Sequence, residues 1–357
     1  MSTVAGPHRA TLVGTGLIGG SIGLALRAQG WHVSGVDSDE EAARRAVELG
    51  VIDEVGVDPD SSITFVAAPV MAIPEAVRVA LAQTSGAVTD VGSVKGSIVA
   101  EVDSPRFVGG HPMAGSEQLG VDGATPDLFE GAVWVLTPVV GTDSDHFATV
   151  DAVVRSLGAD VVALPPERHD ALVAVVSHVP HLTAAALMGI ANERASEHAA
   201  LLRLAAGGFR DMTRIAAGSP TIWPDICGQN RGAILEVIDR LTAELARLRG
   251  LVDDGDDQAL LATLERAQLA RRNLPSRVVR PEELAEFRIP VPDRDGAIAE
   301  VSTLASEMGI NIADFEIAHS SEGDRGVLIL LVDRARADAY RESLVDMGYR
   351  PSVRPLS

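Results

Sequence analysis

The feature that most constrains this chain is Gly14-Thr-Gly16-Leu-Ile-Gly19, set between two apolar runs. Ala10–Val13 before it reads as a strand, Ile22–Ala28 after it as a helix, and Trp31–Val36 as the next strand, closed by Asp37. Strand, glycine turn, helix and strand in that order form a dinucleotide-binding unit. Gly14 allows the tight turn, Gly16 lets the backbone approach a pyrophosphate, and Gly19 lets helix and strand pack closely. Free amides at the helix start favour the diphosphate. Leu17 and Ile18 lie within the same turn. Asp37 follows Gly14 by 23 residues, where a carboxylate accepts hydrogen bonds from ribose hydroxyls and repels a 2′-phosphate. No Arg or Lys occurs between residues 38 and 43, so NAD is favoured over NADP.

The alternation continues. Ile63–Ala67 reads as a strand ending at Ala68-Pro69, with Ala68 facing the same cofactor site. Ile73–Ala82 reads as a helix, and Ala87–Thr89, Phe107–Gly110, Ala132–Leu136 and Asp160–Leu164 as strands. This predicts a Rossmann-type α/β domain over residues 8–165, a mostly parallel, doubly wound sheet. From Pro166 the chain turns Ala- and Leu-rich, and Ile234, Val237, Ile238, Leu241, Leu245 and Leu248 recur at helical spacing. An all-α domain is expected over 166–275, its apolar stripe suited to dimerisation. After a linker with Pro275 and Pro281, strand, helix, two strands, helix and a short strand at Tyr349 predict a small α+β ferredoxin-like domain over 286–357.

Ligands in such sheets bind at carboxyl ends of strands. Two polar stretches fall there: Asp90-Val-Gly-Ser93-Val-Lys95 and His111-Pro-Met-Ala-Gly-Ser-Glu117. Pro112 and Gly115 shape the second as a loop after its strand. Ser93 suits a substrate hydroxyl. Lys95 suits two readings, a cation for a phosphate or carboxylate, or a solvated residue at a helix start. In the helical region, Ser177-His178-Val-Pro-His181 interrupts an apolar run. Two histidines three apart suggest a metal, but Pro180 disturbs the helix and no third ligand stands nearby, so none is expected. Gly207-Gly-Phe-Arg210-Asp-Met-Thr-Arg214 reads either as a surface ion-pair set or as an Arg that grips a carboxylate with both nitrogens.

A net charge of −20 argues against nucleic acid as a partner, because phosphate contacts need a basic face. One cysteine, Cys227, excludes an internal disulfide. No secretory leader pattern precedes the glycine motif, and Ala171–Ala191, broken by His178, Pro180 and His181, is a poor membrane span. A soluble cytoplasmic protein is expected.

Taken together these motifs resemble the prephenate/arogenate dehydrogenase family of tyrosine biosynthesis with a C-terminal ACT domain. Five carry the likeness in order: Gly14–Ser21, Asp90–Lys95, His111–Glu117, Ser177–His181, and Phe209–Ala216 with Trp223. The ACT likeness rests on Asp295-Gly296, Asn311-Ile312 and element order. The resemblance implies NAD-dependent oxidative decarboxylation of prephenate to 4-hydroxyphenylpyruvate, or of arogenate to tyrosine. It implies His111 as the base that takes the hydroxyl proton, with Ser93 orienting it. It implies Arg214 on a carboxylate, His181 on the substrate side chain, Glu117 at the mouth of the pocket and Lys95 among the substrate contacts. It also implies a homodimer and an aromatic amino acid as effector at the ACT domain. A β-hydroxyacid dehydrogenase is the nearest rival, but it leaves the His111 motif unexplained.

Overall fold

The computed structural model describes residues 8–115, 118–197, 205–273, 284–292, 294, 297–310, 312–319 and 325–355. The chain divides into two compact units, one of residues up to 203 with 212–245, the other of 246–357 with 204–211.

The first unit carries an eight-stranded sheet: β1 Arg9–Val13, β2 His32–Val36, β3 Glu54–Val55, β4 Ile63–Val66, β5 Ala87–Asp90, β6 Phe107–Pro112, β7 Val133–Thr137 and β8 Asp160–Ala163. Their order is β3-β2-β1-β4-β5-β6-β7-β8. Strands β1 to β6 run parallel, and β4 and β5 are buried along their whole length, as strands covered on both faces must be. β7 runs antiparallel to β6, because the described residues between them form only the short turn Val121–Gly123 and no crossover helix. Two expectations change here. The two-residue edge strand β3 was too short and too exposed to carry a pattern. The first helix begins at Leu17, not Ile22, because Gly19 and Gly20 are buried helical residues rather than part of a loop.

The helix Pro166–Val173 passes through a π turn, Ala174–His178, into the helix Val179–Glu197. The Val179 N–H donates to the Ala174 carbonyl five residues back. Pro180 therefore does not end the helix; the wider turn just before it absorbs the strain. A long helix, Arg231–Asp254, follows, and the predicted stripe is used in part. Ile234 is buried against Ala174 and Val179, with Val237, Ile238 and Leu241 beside them, whereas Leu245 is exposed.

The second unit holds β9 Leu284–Pro292, a helix Ala297–Glu307, β10 Ile312–His319, β11 Arg325–Asp333, a helix Ala337–Asp346 and β12 Ser352–Pro355. The order β10-β11-β9-β12, antiparallel throughout, is the ferredoxin-like topology expected. Phe287, Ile289, Val301, Leu328, Leu330, Tyr340 and Leu344 form its core. Tyr340 donates to the Val301 carbonyl at 2.8 Å, and burial pushes its hydroxyl up to about 12. Tyr349 is not on a strand. It sits in the turn before β12, where its hydroxyl donates to Glu300 at 2.7 Å. Asp295, Gly296 and Asn311, three of the residues that carried the ACT likeness, lie outside the described residues.

Candidate active site

The cofactor end is made mostly of backbone. Gly14 has φ +96°, and a Cβ there would lie 2.3 Å from the Ala67 carbonyl oxygen at the end of β4. A Cβ on Gly19 would lie 2.0 Å from the Gly14 oxygen, so the helix packs directly on the turn. Nothing lies within 4 Å of a Cβ built on Gly16, the open space that a pyrophosphate needs. Leu17 and Ile18 begin the helix and are half-buried, as is Ala68 just beyond β4. Asp37 is held by the glycine turn itself. One carboxylate oxygen accepts from the Thr15 N–H at 2.7 Å and the Thr15 hydroxyl at 3.1 Å, while the other accepts from the Asp39 N–H at 3.0 Å. These features fit an NAD site, with the carboxylate fixed where a ribose would meet it.

A cavity of about 450 Å³ opens in the same unit, lined among others by Ser93, His111, His178, Arg214 and Trp223. His111 is not on a loop after its strand, as expected. It belongs to β6, opposite Val135 of β7, and is buried with 8% of its surface exposed. The ladder thus fixes the ring's backbone on one side.

Its Nδ1 lies 2.8 Å from Nε2 of His169, and Nδ1 of His169 lies 2.8 Å from the Asp170 carboxylate. Asp170 also accepts from the backbone N–H groups of Lys95 and Gly96, both at 2.8 Å. Burial alone would raise the Asp170 carboxyl, but the hydrogen bonds from His169 and from these two amides hold it below its usual range. It is therefore an acceptor only, and His169 gives it the Nδ1 proton. Nε2 of His169 is then left to accept from Nδ1–H of His111. By this chain of single donors, Nε2 of His111 bears no proton. Burial, then His169, Lys95 and His178, push His111 well below its ordinary value, so the ring is neutral at pH 7.

His178 and His181 diverge. His178 is buried, and its Nδ1 faces the Asn230 amide at 3.2 Å, which leaves the proton on Nε2. Burial lowers it to about 4. Asn230 also donates to the Asp170 carbonyl at 2.8 Å. His181 stacks flat on Trp223, with ring centroids 3.7 Å apart. Trp223 lines the cavity, and His181 backs it.

Lys95 corrects an expectation. It has no exposed surface; its Nζ pairs with Asp90 and donates to the Gly110 carbonyl at 2.7 Å, so it has no face left for a substrate. Glu117 lies outside the described residues. The sequence reading overlooked His169, Asp170 and Asn230. The available signal was weak: His169-Asp170 follows Glu167-Arg168, and Asn230 lies between Gln229 and Arg231, so each looks like part of an ordinary polar helix opening or helix junction.

Comparison with known proteins agrees with this geometry. Residues 22–163 match the family model for the prephenate dehydrogenase nucleotide-binding domain, and residues 165–266 match that for the prephenate dehydrogenase dimerization domain. The prephenate dehydrogenase of Bacillus subtilis (strain 168) is 35% identical, over 93% of this chain and 95% of its own. A crystal structure of prephenate dehydrogenase from A. aeolicus, in complex with hydroxyphenyl propionate and NAD+, superposes with a TM-score of 0.70 at 32% identity. It covers 75% of this chain and 99% of its own. A Synechocystis arogenate dehydrogenase superposes with a TM-score of 0.64 at 31% identity, covering 74% and 98%. A glycine turn built for a dinucleotide, a neutral buried histidine with its acceptor nitrogen bare, and these matches along both domains place the chain in the prephenate dehydrogenase family.

Proposed function

We infer that this chain is an NAD-dependent prephenate dehydrogenase, which oxidatively decarboxylates prephenate to 4-hydroxyphenylpyruvate. The observation that carries the reading is the buried His111 at the wall of the cavity, its Nδ1 2.8 Å from His169 and His169 in turn 2.8 Å from Asp170, an order of contacts that leaves Nε2 to accept a proton. When bound, NAD supplies the hydride acceptor. The turn Gly14–Gly19, Asp37 and Ala68 would hold it. Nε2 of His111 takes the proton of the ring hydroxyl as the carbon bearing it loses hydride. The ring carboxylate then leaves as carbon dioxide, and its bonding pair completes the aromatic ring. The proton on His111 is available to the phenolate oxygen. Ser93 orients the hydroxyl, and Arg214 grips a carboxylate. His178 presents an Nε2–H donor to the cavity, and His181 acts by holding the Trp223 ring.

Arogenate is the second substrate to consider, because an arogenate dehydrogenase is among the structural relatives. NADH formation with each substrate, and with NAD and then NADP, tests the reading. Turnover of prephenate with NAD supports it; turnover of arogenate alone moves the assignment to the second substrate; turnover of neither would falsify it.

Three further parts of the reading concern assembly, regulation and place. The protein is a homodimer, supported by the match to a dimerization domain and by the exposed Val175, Val176, Ile190 and Leu235 on the helices. Light scattering at twice the 37.3 kDa chain mass is the expected result. The ferredoxin-like domain over 286–357 is an ACT domain that binds an aromatic amino acid, and added tyrosine is expected to change activity or melting temperature. The enzyme works in the cytoplasm. Among the described residues one helical run, Pro166–Arg194, is long and apolar enough to cross a bilayer. That run carries the buried His169, Asp170 and His178 that complete the site.

A further inference from the structure

The parallel ladder between β5 and β6 is short. It pairs Val88 with Phe107 and Thr89 with Val108, and then stops. Beyond it lie the residues that matter: Asp90 to Ser93 on one side, Gly109 to His111 on the other. From Gly109 onward β6 pairs on its far side with β7. Gly110 therefore turns its N–H and carbonyl toward β5, where no strand continues to receive them. Side chains take the place of the missing rungs. The Gly110 N–H donates to one carboxylate oxygen of Asp90 at 3.1 Å, and the Gly110 carbonyl accepts from Nζ of Lys95 at 2.7 Å. The other Asp90 oxygen accepts from the Gly92 N–H at 2.8 Å, next to Ser93, and from Lys95 itself. The two charged side chains have no exposed surface. The strand ends are also pressed together: a Cβ on Gly110 would lie 2.6 Å from the Asp90 carbonyl oxygen and 2.8 Å from the Thr89 hydroxyl.

We propose that the buried Asp90–Lys95 pair is a positioning device for the reaction: it replaces the last rungs between β5 and β6, and so sets the spacing of Ser93 and His111. The pair does not touch the substrate. It acts through the backbone of the residue before His111, and through the Lys95 and Gly96 amides that Asp170 accepts from. A chain of contacts thus joins Asp90 and Lys95 to Asp170, His169 and His111. A buried ion pair is a weak source of stability, since desolvation offsets most of the attraction, and a purely structural role would be served by apolar residues. Geometry is what the pair adds. A displacement of about 1 Å between reacting groups costs on the order of 10²-fold in rate.

Lys95 has a second consequence. Its charge, together with His169 and His178, faces His111, while Asp90 and Asp170 are the acids nearby. Among these, Lys95, His169 and His178 all lower His111. Removing the Lys95 charge raises His111, so the acid limb of the pH–rate profile moves to higher pH.

The inference rests on His111 being the base, and the experiment separates the two. The variants are Asp90→Asn with Lys95→Met together, which leave no unpaired buried charge, and His111→Asn alone. Where the pair variant melts below the assay temperature, Gly110→Ala opens the same gap without touching a charge. The readouts are kcat, KM for prephenate, Kd for NAD and the pH profile, each per folded site as counted by NAD binding. The expected result for the pair variant is a kcat loss of about 10²-fold, with KM and NAD Kd changed less than about threefold and the acid limb moved up. For Gly110→Ala the expected result is the kcat loss without the shift in the limb. Wild-type kcat per folded site in the pair variant, or in Gly110→Ala where that is the one that folds, overturns the positioning role even if His111→Asn is inactive. Wild-type turnover in His111→Asn overturns the base assignment instead.

Discussion

At the carboxyl end of β1 the chain offers a ligand its backbone: a glycine turn, open space at Gly16, and one carboxylate held by the turn's own amide. At the carboxyl ends of β5 and β6 it offers buried side chains, and each is held by another: His111 by His169, His169 by Asp170, Asp170 by the amides of residues 95 and 96. The first arrangement is nearly local in sequence, residues 14–39 closed only by Ala67 and Ala68 at the end of β4. The second gathers residues 90 to 111 from the sheet and 169, 170, 178 and 230 from the helices. Binding a diphosphate asks for amides and room. Moving a proton asks for one tautomer at one place, which a single residue cannot fix for itself.

Substitutions that strike one end and spare the other sharpen this contrast. The largest expected effect is from His111→Asn, a loss of at least about 10³-fold in kcat with NAD Kd unchanged, measured by steady-state kinetics and fluorescence titration. Next comes Asp170→Asn. Its amide no longer demands the His169 proton, the relay loses its direction, and kcat is expected to fall about 10²-fold while KM for prephenate holds. A smaller effect belongs to the other end. Asp37→Ser is expected to weaken NAD about tenfold, roughly the loss of one or two hydrogen bonds to a ribose, and to narrow the preference over NADP, with kcat at saturating NAD near wild type. The smallest effect is on stability in acid. His178 is lowered to about 4 in the folded chain from 6.5, so the unfolded chain binds the extra proton between those values. The stability that His178 contributes is complete above pH 6.5 and is lost as pH falls toward 4. His178→Gln is expected to flatten the melting temperature across that window, as calorimetry would record.

The same contrast explains what could be read in advance. The strand-turn-helix over residues 9–36 is a local pattern, and its cofactor follows from spacing alone. Seven of the eight strands of the large sheet were legible as short apolar runs; the two exposed residues of β3 were not. The ferredoxin-like order was legible because its first three strands and two helices are separate apolar or amphipathic runs divided by polar turns, whereas the last strand, Ser352–Pro355, was placed a few residues early at Tyr349. In the site, Ser93, His111 and Arg214 were legible from motif likeness and do meet at one cavity. Lys95 was misplaced, because a lysine at a helix start looks solvated or ligand-bound, and nothing in its neighbours tells that Gly110 will come to cover it. His169 and Asp170 were missed for the converse reason. They stand 58 and 59 residues beyond His111, in a stretch that reads as a helix opening, and only the packing of helix on sheet makes them partners.

Proton abstraction here depends on the tautomer of one ring. The most direct test is the nitrogen NMR of His111 in protein labelled with 15N-histidine and bound to NAD, assigned against His111→Asn and followed as a function of pH. A protonated Nδ1 with a bare Nε2 at pH 7, persisting neutral well below pH 6.5, is the predicted result. A proton on Nε2 at pH 7, or an imidazolium already formed at pH 6.5, contradicts it, and the relay through His169 and Asp170 would then not be what prepares the base.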